Sequence, residues 1–359
     1  MGVKNRSPWG RRTWYAAASA AVSCGVIGWL LTVVSPGAIA RAVRDASVPG
    51  LLAYAAASLL STAFRNERYL VLMRGSGSAP PIGRGDMFLV TLVRNLFSDL
   101  LPARIGSTVY IVLLRARFGC PVGVGTSVWA VAFVLDMVVM VPLMAVGIWA
   151  VGGSRLGIPP AVLVPIAAGF FMAVAALLWA LPGLMRGAGR IVRGYFPIRG
   201  RRDAVADALA RTAAAMEEIR HGGVFWRALG LSLAVRILKY GCISFLVYAV
   251  LNPIDPAVHT LRAIGFWPVL VGASLAELSA STPLSGIGGF GAYEGVWAGA
   301  FRLLGYPRDL ALLSGISAHL ITQLFAWSLG AAAILLLVAP VRRRALAAPR
   351  AAEGKRVEG

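Results

Sequence analysis

Five charged residues in apolar parts of the sequence are the strongest candidates for chemistry. Arg236 and Lys239 lie three residues apart in one apolar stretch, so a helix would place them on one face. That stretch holds no acid, and Asp136, Glu277 and Glu294 are the acids available elsewhere. Ionisable groups at membrane depth are costly and are usually functional. The pattern therefore predicts that Arg236 and Lys239 bind an anionic headgroup and that the three acids are their charge partners.

A second set of candidates surrounds Pro102, which interrupts a pair of short apolar runs. Arg94, Asp99 and Arg104 are the charges of this set, and Asn95 adds an amide. Arginine presents a planar fork of donors that suits phosphate oxygens. Two interpretations stay open. Either Arg94 and Asp99 pair with each other, or Arg94, Asn95 and Arg104 bind a lipid phosphate.

A glycine-rich break interrupts a second pair of short runs. It contains a G-x-G-x-x-G match, but its surroundings do not predict the βαβ unit of a nucleotide-binding fold. Glycine-rich backbone before a helix can present N–H groups to an anion, or it can let helices approach closely. Glu294, after the break, is interpreted as a proton-coupled carboxylate, a partner for an arginine or a helix-start charge. The predicted gate consists of Pro102, Pro283, Gly286, Gly288, Gly289, Gly291 and Glu294.

His319 and Gln323 form a polar strip in the last apolar run, because they are four residues apart. His319 is interpreted as a proton relay, a charge partner for the acids or a hydrogen-bonded core residue. The three cysteines are isolated, with none of the spacings typical of metal or redox sites. The sequence therefore predicts neither a metal site nor a cofactor, and no residue is assigned a catalytic role.

The elements that position these residues must be membrane helices. The chain is 58% hydrophobic and 14% charged, whereas soluble domains are about 25% charged. Its mean hydropathy is +0.74. The net charge of +20 comes from basic residues between the apolar runs and at both ends, which is typical of cytoplasmic loops rather than of nucleic-acid binding. The composition predicts an all-α, polytopic transmembrane helix bundle with no nucleic-acid partner.

The apolar runs predict about six full spans and two short broken pairs, 87–101 with 105–114 and 264–281 with 293–304. The basic segments, among them 65–86 with Arg65 and Arg68, are predicted to be cytoplasmic. This assignment makes each broken pair enter and leave on one side, as re-entrant pairs of an inverted arrangement do. The alternative is that each pair consists of two full spans joined by a tight turn.

A single integral membrane domain is predicted for 14–338, between cytoplasmic basic tails at 1–13 and 339–359. Within it, 182–225 is predicted to be a cytoplasmic basic loop. A helix at 203–220 would lie on the membrane interface or serve as a solvated linker. The expected location is a bacterial or archaeal-type inner membrane, with both termini in the cytoplasm.

The glycine-rich stretch 283–294 resembles the P-x-x-x-G-G-x-G-x-x-E signature of the lysylphosphatidylglycerol synthase membrane-domain family, also called flippase-like integral membrane proteins. The stretch 94–107 is similar to that family's N-x-x-x-P-x-R-x-G-E element, with Ser107 where the family often has Glu. The resemblance extends over about 14–338 and implies lipid handling. In two-part members, a soluble domain transfers an amino acid onto phosphatidylglycerol and the membrane domain moves the product across the bilayer. This chain resembles the membrane domain alone, so aminoacylation is not implied.

These features together favour a lipid translocase that binds an anionic or polyprenyl-type headgroup in a central cavity. Its expected partners are membrane lipids, either an anionic phospholipid or a polyprenyl phosphate, and an enzyme of envelope synthesis. Two alternatives stay open. One is a membrane glycosyl- or phosphotransferase that acts on a lipid phosphate, with Asp99 or Glu294 as the base. The other is a non-transporting accessory subunit of a cell-envelope lipid complex.

Overall fold

The computed structural model of the chain is built from helices. It describes residues 35–77, 79–101, 106, 108–152, 159–195, 199–221, 223–280 and 289–338. Every regular element in these ranges is helical, which confirms the all-α prediction. The predicted tails at 1–13 and 339–359 and the predicted first span at 14–34 lie outside the described residues.

Short connections join consecutive helices along the chain. The first six are α1 (Pro36–Arg44), α2 (Val48–Gly75), α3 (Arg84–Leu100), α4 (Thr108–Phe118), α5 (Val122–Gly152) and α6 (Pro160–Tyr195). The next six are α7 (Arg199–His221), α8 (Val224–Leu251), α9 (Leu261–Ile264), α10 (Phe266–Ala280), α11 (Ala292–Leu303) and α12 (Arg308–Val338). Local sequence explains the start of α1, where the Ser35 hydroxyl accepts the N–H of Ala38 at 3.2 Å and proline occupies the first turn.

Three helices are long and apolar enough to cross a membrane, namely α5, α8 and α12. A fourth candidate is the pair α1 and α2, which meet at 81° and would form one bent span. Helix α6 has 36 residues, and at about 1.5 Å per residue it exceeds the roughly 30 Å of a hydrocarbon core. By length and composition, the six predicted full spans have three or four counterparts among the described residues.

Helix α2 continues beyond the apolar run that predicted it and reaches Gly75. Arg65 and Arg68, which the sequence assigned to a cytoplasmic segment, therefore lie inside a helix. Arg68 is 1% exposed, and Asp136 of α5 supplies the opposite charge that makes its burial tolerable. The cytoplasmic position of this segment stays a prediction, because an arginine that ends an apolar run has the same sequence context at a membrane surface as beside a buried acid.

The basic segment 182–225 is almost entirely helical rather than a loop with one helix. Helix α6 continues well into it, and α7 confirms the predicted helix and extends it at both ends. The two helices pack as an antiparallel hairpin, since Arg186 pairs with Glu217 at 2.8 Å and Arg193 pairs with Asp207 at 2.6 Å. The hairpin carries many of the basic residues that the sequence placed outside the hydrocarbon.

Both predicted breaks separate helices that pack against each other. Helices α3 and α4 flank the first break, and α10 and α11 flank the second. Gly106 approaches α3 so closely that a β-carbon there would lie 1.7 Å from the Phe97 carbonyl oxygen, so the chain turns tightly at this point. The predicted break residues Pro102, Arg104, Pro283, Gly286 and Gly288 lie outside the described residues.

Two apolar cores, one around each of these helix pairs, hold the bundle together. The first core joins α3 and α4 to α2 and α5, and the second joins α10 and α11 to α8 and α12. In the second core the rings of Tyr293, Trp297 and Phe301 stack at centroid distances of 5.9 and 4.5 Å. A polar cavity borders both cores.

Candidate functional site

A cavity of about 220 Å³ opens among helices α2, α3, α5, α8, α10, α11 and α12. Charged side chains inside a membrane bundle are tolerated where they face such a water-accessible space or pair with each other. The charged, imidazole and amide side chains that line the cavity are Arg65, Arg94, Asn95, Asp99, Asp136, Arg236, Lys239, Glu277, His319 and Gln323.

A network of ion pairs joins four helices beside the cavity. Arg68 of α2 donates to both oxygens of Asp136 of α5, at 2.6 and 3.3 Å. Arg236 of α8 lies 3.7 Å from Asp136 and 3.1 Å from Glu277 of α10. Lys239 lies 2.6 Å from the other oxygen of Glu277. Three cations thus share two carboxylates in this network.

Neutral hydroxyl groups supply further hydrogen bonds to the buried arginines. Arg68 donates to the Ser232 hydroxyl at 2.9 Å. The Tyr240 hydroxyl accepts hydrogen bonds from Arg236 at 3.3 Å and from Ser274 at 2.7 Å. A guanidinium has five N–H donors, so a buried ion pair is tolerable only when such additional partners are present. A search for charged residues does not find Ser232, Tyr240 or Ser274, because nothing in their sequence context marks them.

Two further cations converge on one neutral acceptor. Arg65 of α2 and Arg94 of α3 both donate to Asn95 Oδ1, at 3.0 and 3.3 Å. The Tyr69 ring centroid lies 5.9 Å from the Arg94 guanidinium, which favours a cation at that position. An amide oxygen carries no net charge, so it offsets the repulsion between two guanidiniums only in part. The pair therefore suits an anion with several oxygens, such as a phosphodiester.

Glu294 and His319 form a separate contact between α11 and α12. His319 Nδ1 lies 2.5 Å from Glu294 Oε1, and Glu294 Oε2 accepts the N–H of Gly291 at 2.7 Å. Gly291 has a φ of +95°, which a residue with a side chain rarely adopts. Glu294 thus lies at a helix start, one of its three predicted roles, and its side-chain partner is a histidine rather than an arginine. The Gln323 amide nitrogen lies 2.9 Å from His319 Nε2.

The fold brings most of the predicted site residues together. Asp136 and Glu277 pair with Arg236 and Lys239, as the sequence suggested, whereas Glu294 does not. Gly291 contributes to the start of α11. The predicted site residues that line the cavity are Arg94, Asn95, Asp99, Asp136, Arg236, Lys239, Glu277, Gly289 and His319.

Arg65 and Arg68 are site residues that the sequence analysis placed in a cytoplasmic segment and did not name as candidates. They are three residues apart, so both side chains project from neighbouring positions of α2. The spacing of the two arginines was a usable signal. Two arginines one helical turn apart, directly after an apolar run, also fit a helix that continues with a polar face.

The chain matches the family model of the lysylphosphatidylglycerol synthase TM region over residues 16–330. This range contains every residue that lines the cavity. A comparison with curated proteins gave no match. The chain is therefore a multi-pass membrane protein that belongs to the family of the lysylphosphatidylglycerol synthase TM region.

Proposed function

We propose that the protein binds the phosphate-bearing headgroup of an anionic lipid in the cavity and moves the lipid across the membrane. The observation that carries this proposal is that Arg65 and Arg94 both donate to Asn95 Oδ1 in the wall of a cavity that also borders a network of ion pairs. Membership of a family linked to lipid metabolism or transport supports it. Anionic phospholipids and polyprenyl phosphates are the two lipid classes with this chemistry.

The proposed main headgroup contacts are Arg65, Arg94 and Asn95, rather than Arg236 and Lys239 alone. Arg236 is 4% exposed and lies beside two carboxylates, so its charge is already balanced. Lys239 is 28% exposed and lines the cavity, so it can add a second cationic contact. A test on Arg236 would also disturb the ion pairs that join the helices, whereas Arg65 and Arg94 lie outside that network.

Ala326 of α12 lines the cavity and allows a steric test that leaves every charge in place. Ala326→Trp is expected to slow the transport of fluorescent phosphatidylglycerol in proteoliposomes at least about tenfold. A steric clash between the tryptophan and the lipid that costs about 1.4 kcal/mol is enough for a tenfold effect. Ala332→Trp is the matched control, because Ala332 is exposed on the same helix. Thermal unfolding of both variants shows whether each has folded.

Lipid mass spectrometry after gentle detergent extraction identifies the lipid class. Retention of anionic phospholipids or polyprenyl phosphates by the wild type, and their loss from Ala326→Trp, is the expected result. Equal transport by the two folded tryptophan variants would contradict a transport route through the cavity.

A membrane transferase that acts on a lipid phosphate is the second candidate, and the contact between Glu294 and His319 favours it. A carboxylate that orients an imidazole beside a cavity is an arrangement used in general-base catalysis. Glu294 is 1% exposed, so His319 rather than Glu294 would touch a substrate. Product formation from a polyprenyl-phosphate sugar by purified protein, and its loss in His319→Gln, would decide for the enzyme.

We also propose six full spans and two re-entrant pairs, α3 with α4 and α10 with α11, in a bacterial or archaeal-type inner membrane with both termini cytoplasmic. In support, these four helices have 17, 11, 15 and 12 residues, fewer than the roughly 20 that a full span needs. Leu101 lies at the first break. A membrane-impermeant maleimide is expected to leave Leu101→Cys unlabelled from the outer face. Labelling from that face would favour two full spans.

A further inference from the structure

His319 lies between the cavity and a buried carboxylate. Its ring lines the cavity, and its Nδ1 contacts Glu294, whose side chain is 0% exposed. In the described part of the chain, His319 is the one basic side chain that forms an ion pair with Glu294. A buried carboxylate without a counter-charge is strongly destabilising. Glu294 therefore depends on the charge state of His319.

We infer that His319 is a proton-binding site and that a proton and an anionic lipid headgroup bind the cavity together. The inference rests on the proposed function and adds the ion that accompanies the lipid. Imidazole is the side chain whose charge ordinarily changes near neutral pH. Proton binding to His319 converts its contact with Glu294 into an ion pair and adds a positive charge to the cavity wall.

The contacts of the ring show which nitrogen takes the proton. An ionised carboxylate only accepts hydrogen bonds, so Nδ1, which faces Glu294, carries a hydrogen in both charge states of His319. Nε2 faces the amide nitrogen of Gln323 at 2.9 Å, so it accepts a hydrogen bond when the ring is neutral. The added proton binds to Nε2. Rotation of the Gln323 amide then presents its oxygen as the acceptor.

Two aromatic rings pack against the imidazole of His319 and fix its position in both charge states. The ring centroids of Tyr293 and Phe290 lie 4.3 and 4.6 Å from that of His319. Aromatic faces attract cations, so these contacts favour the protonated ring as well as fixing its plane.

The other charged groups that face this space are less suited to bind the proton. Arg65 comes from α2, Arg94 and Asp99 from α3, Asp136 from α5, Arg236 and Lys239 from α8, and Glu277 from α10. A proton on Glu277 would weaken its contacts with Arg236 at 3.1 Å and Lys239 at 2.6 Å. A proton on His319 creates an ion pair instead, so it costs less free energy.

Proton and lipid binding are then linked. A proton on His319 strengthens the binding of an anion in the same cavity, and a bound anion strengthens proton binding by the same factor. The affinity for an anionic lipid should therefore be lower at high pH than at low pH.

The test is calorimetric binding of dioctanoylphosphatidylglycerol to the purified protein at about pH 5.5 and about pH 8.5, in buffers with different ionisation enthalpies. For the wild type, we expect a Kd roughly 5- to 150-fold higher at the upper pH, with proton uptake on binding. His319→Gln should abolish both effects. His259→Gln, which changes a histidine distant from the cavity lining, should keep both. Glu294→Gln keeps the imidazole but removes its charged partner and should change the pH dependence, so it tests the proposal even if His319→Gln fails to fold.

Two results would overturn the coupling and leave the proposed function intact. One is wild-type affinity that is equal at both pH values. The other is an unchanged pH dependence in folded His319→Gln. Absence of lipid binding at both pH values would instead contradict the proposed function and therefore also the coupling that rests on it.

Discussion

Replacing Asp136 with alanine is expected to lower the free energy of unfolding by about 3–5 kcal/mol. Asp136 lies 2.6 Å from Arg68 and 3.7 Å from Arg236, so its loss removes counter-charge from two buried guanidiniums. Arg236 retains Glu277, whereas the Ser232 hydroxyl and the Tyr69 ring, which remain beside Arg68, carry no net charge. Unfolding in mixed micelles of detergent and SDS, followed by tryptophan fluorescence, measures the loss.

A surface ion pair provides the matched control for this variant. Glu67 pairs with Arg84 at 3.2 Å, and their side chains are 33% and 72% exposed, so Glu67→Gln should cost only about 0–1 kcal/mol. Arg68→Met combined with Asp136→Leu should recover most of the lost stability, because apolar replacement of both members of a buried pair leaves no unpaired charge. Equal losses in Asp136→Ala and Glu67→Gln would show that the buried network does not hold these helices together.

Replacing both Arg65 and Arg94 with glutamine is expected to raise the Kd for phosphatidylglycerol about 100-fold or more. Each hydrogen bond to a charged group contributes about 1.5–3 kcal/mol, and about 1.4 kcal/mol corresponds to a tenfold change in affinity. Glutamine keeps a donor near Asn95 Oδ1, so the helices α2 and α3 should remain joined while the positive charge is lost. Calorimetric titration of the purified protein measures the change.

Arg227→Gln is the control for this double variant, since Arg227 is an exposed arginine of α8 that does not line the cavity. It removes one positive charge from the protein and should leave the Kd within about twofold of the wild type. If the folded double variant binds the lipid with wild-type affinity, the headgroup site does not include Arg65 and Arg94. The affinity of a neutral diacylglycerol should be unaffected in both variants.

Much of the charge pairing could be expected from composition and position. Arg236 and Lys239 have no acid in their own helix, so their burial required acids from other helices, and Asp136 and Glu277 were among the few available. This inference was possible because acids are scarce in the apolar stretches: the chain has 15 acidic residues, and few of them lie there.

Sequence alone is ambiguous where the sequence context of a residue is the same in two different environments. Arg65 and Arg68 end an apolar run, which is also where cytoplasmic flanking charges occur, and only the packing of α2 against α8 and α5 shows that they face the bundle interior. The sequence context of Glu294 likewise left its partner open. Its acidity predicted a cationic partner, but which cation lay nearest depended on how α11 and α12 approach each other.

The sequence by itself determined that the protein is a helical membrane protein, since no soluble core could bury so much apolar surface and only helices satisfy their own backbone in lipid. It also located the residues at which the apolar pattern breaks and the charges that had to be paired. Tertiary structure alone decided which charges are balanced within the bundle and which face the cavity, because ion pairs form between helices far apart in the chain. For that reason Arg94, predicted from its break, and Arg65, predicted to lie in a cytoplasmic segment, meet at one amide oxygen.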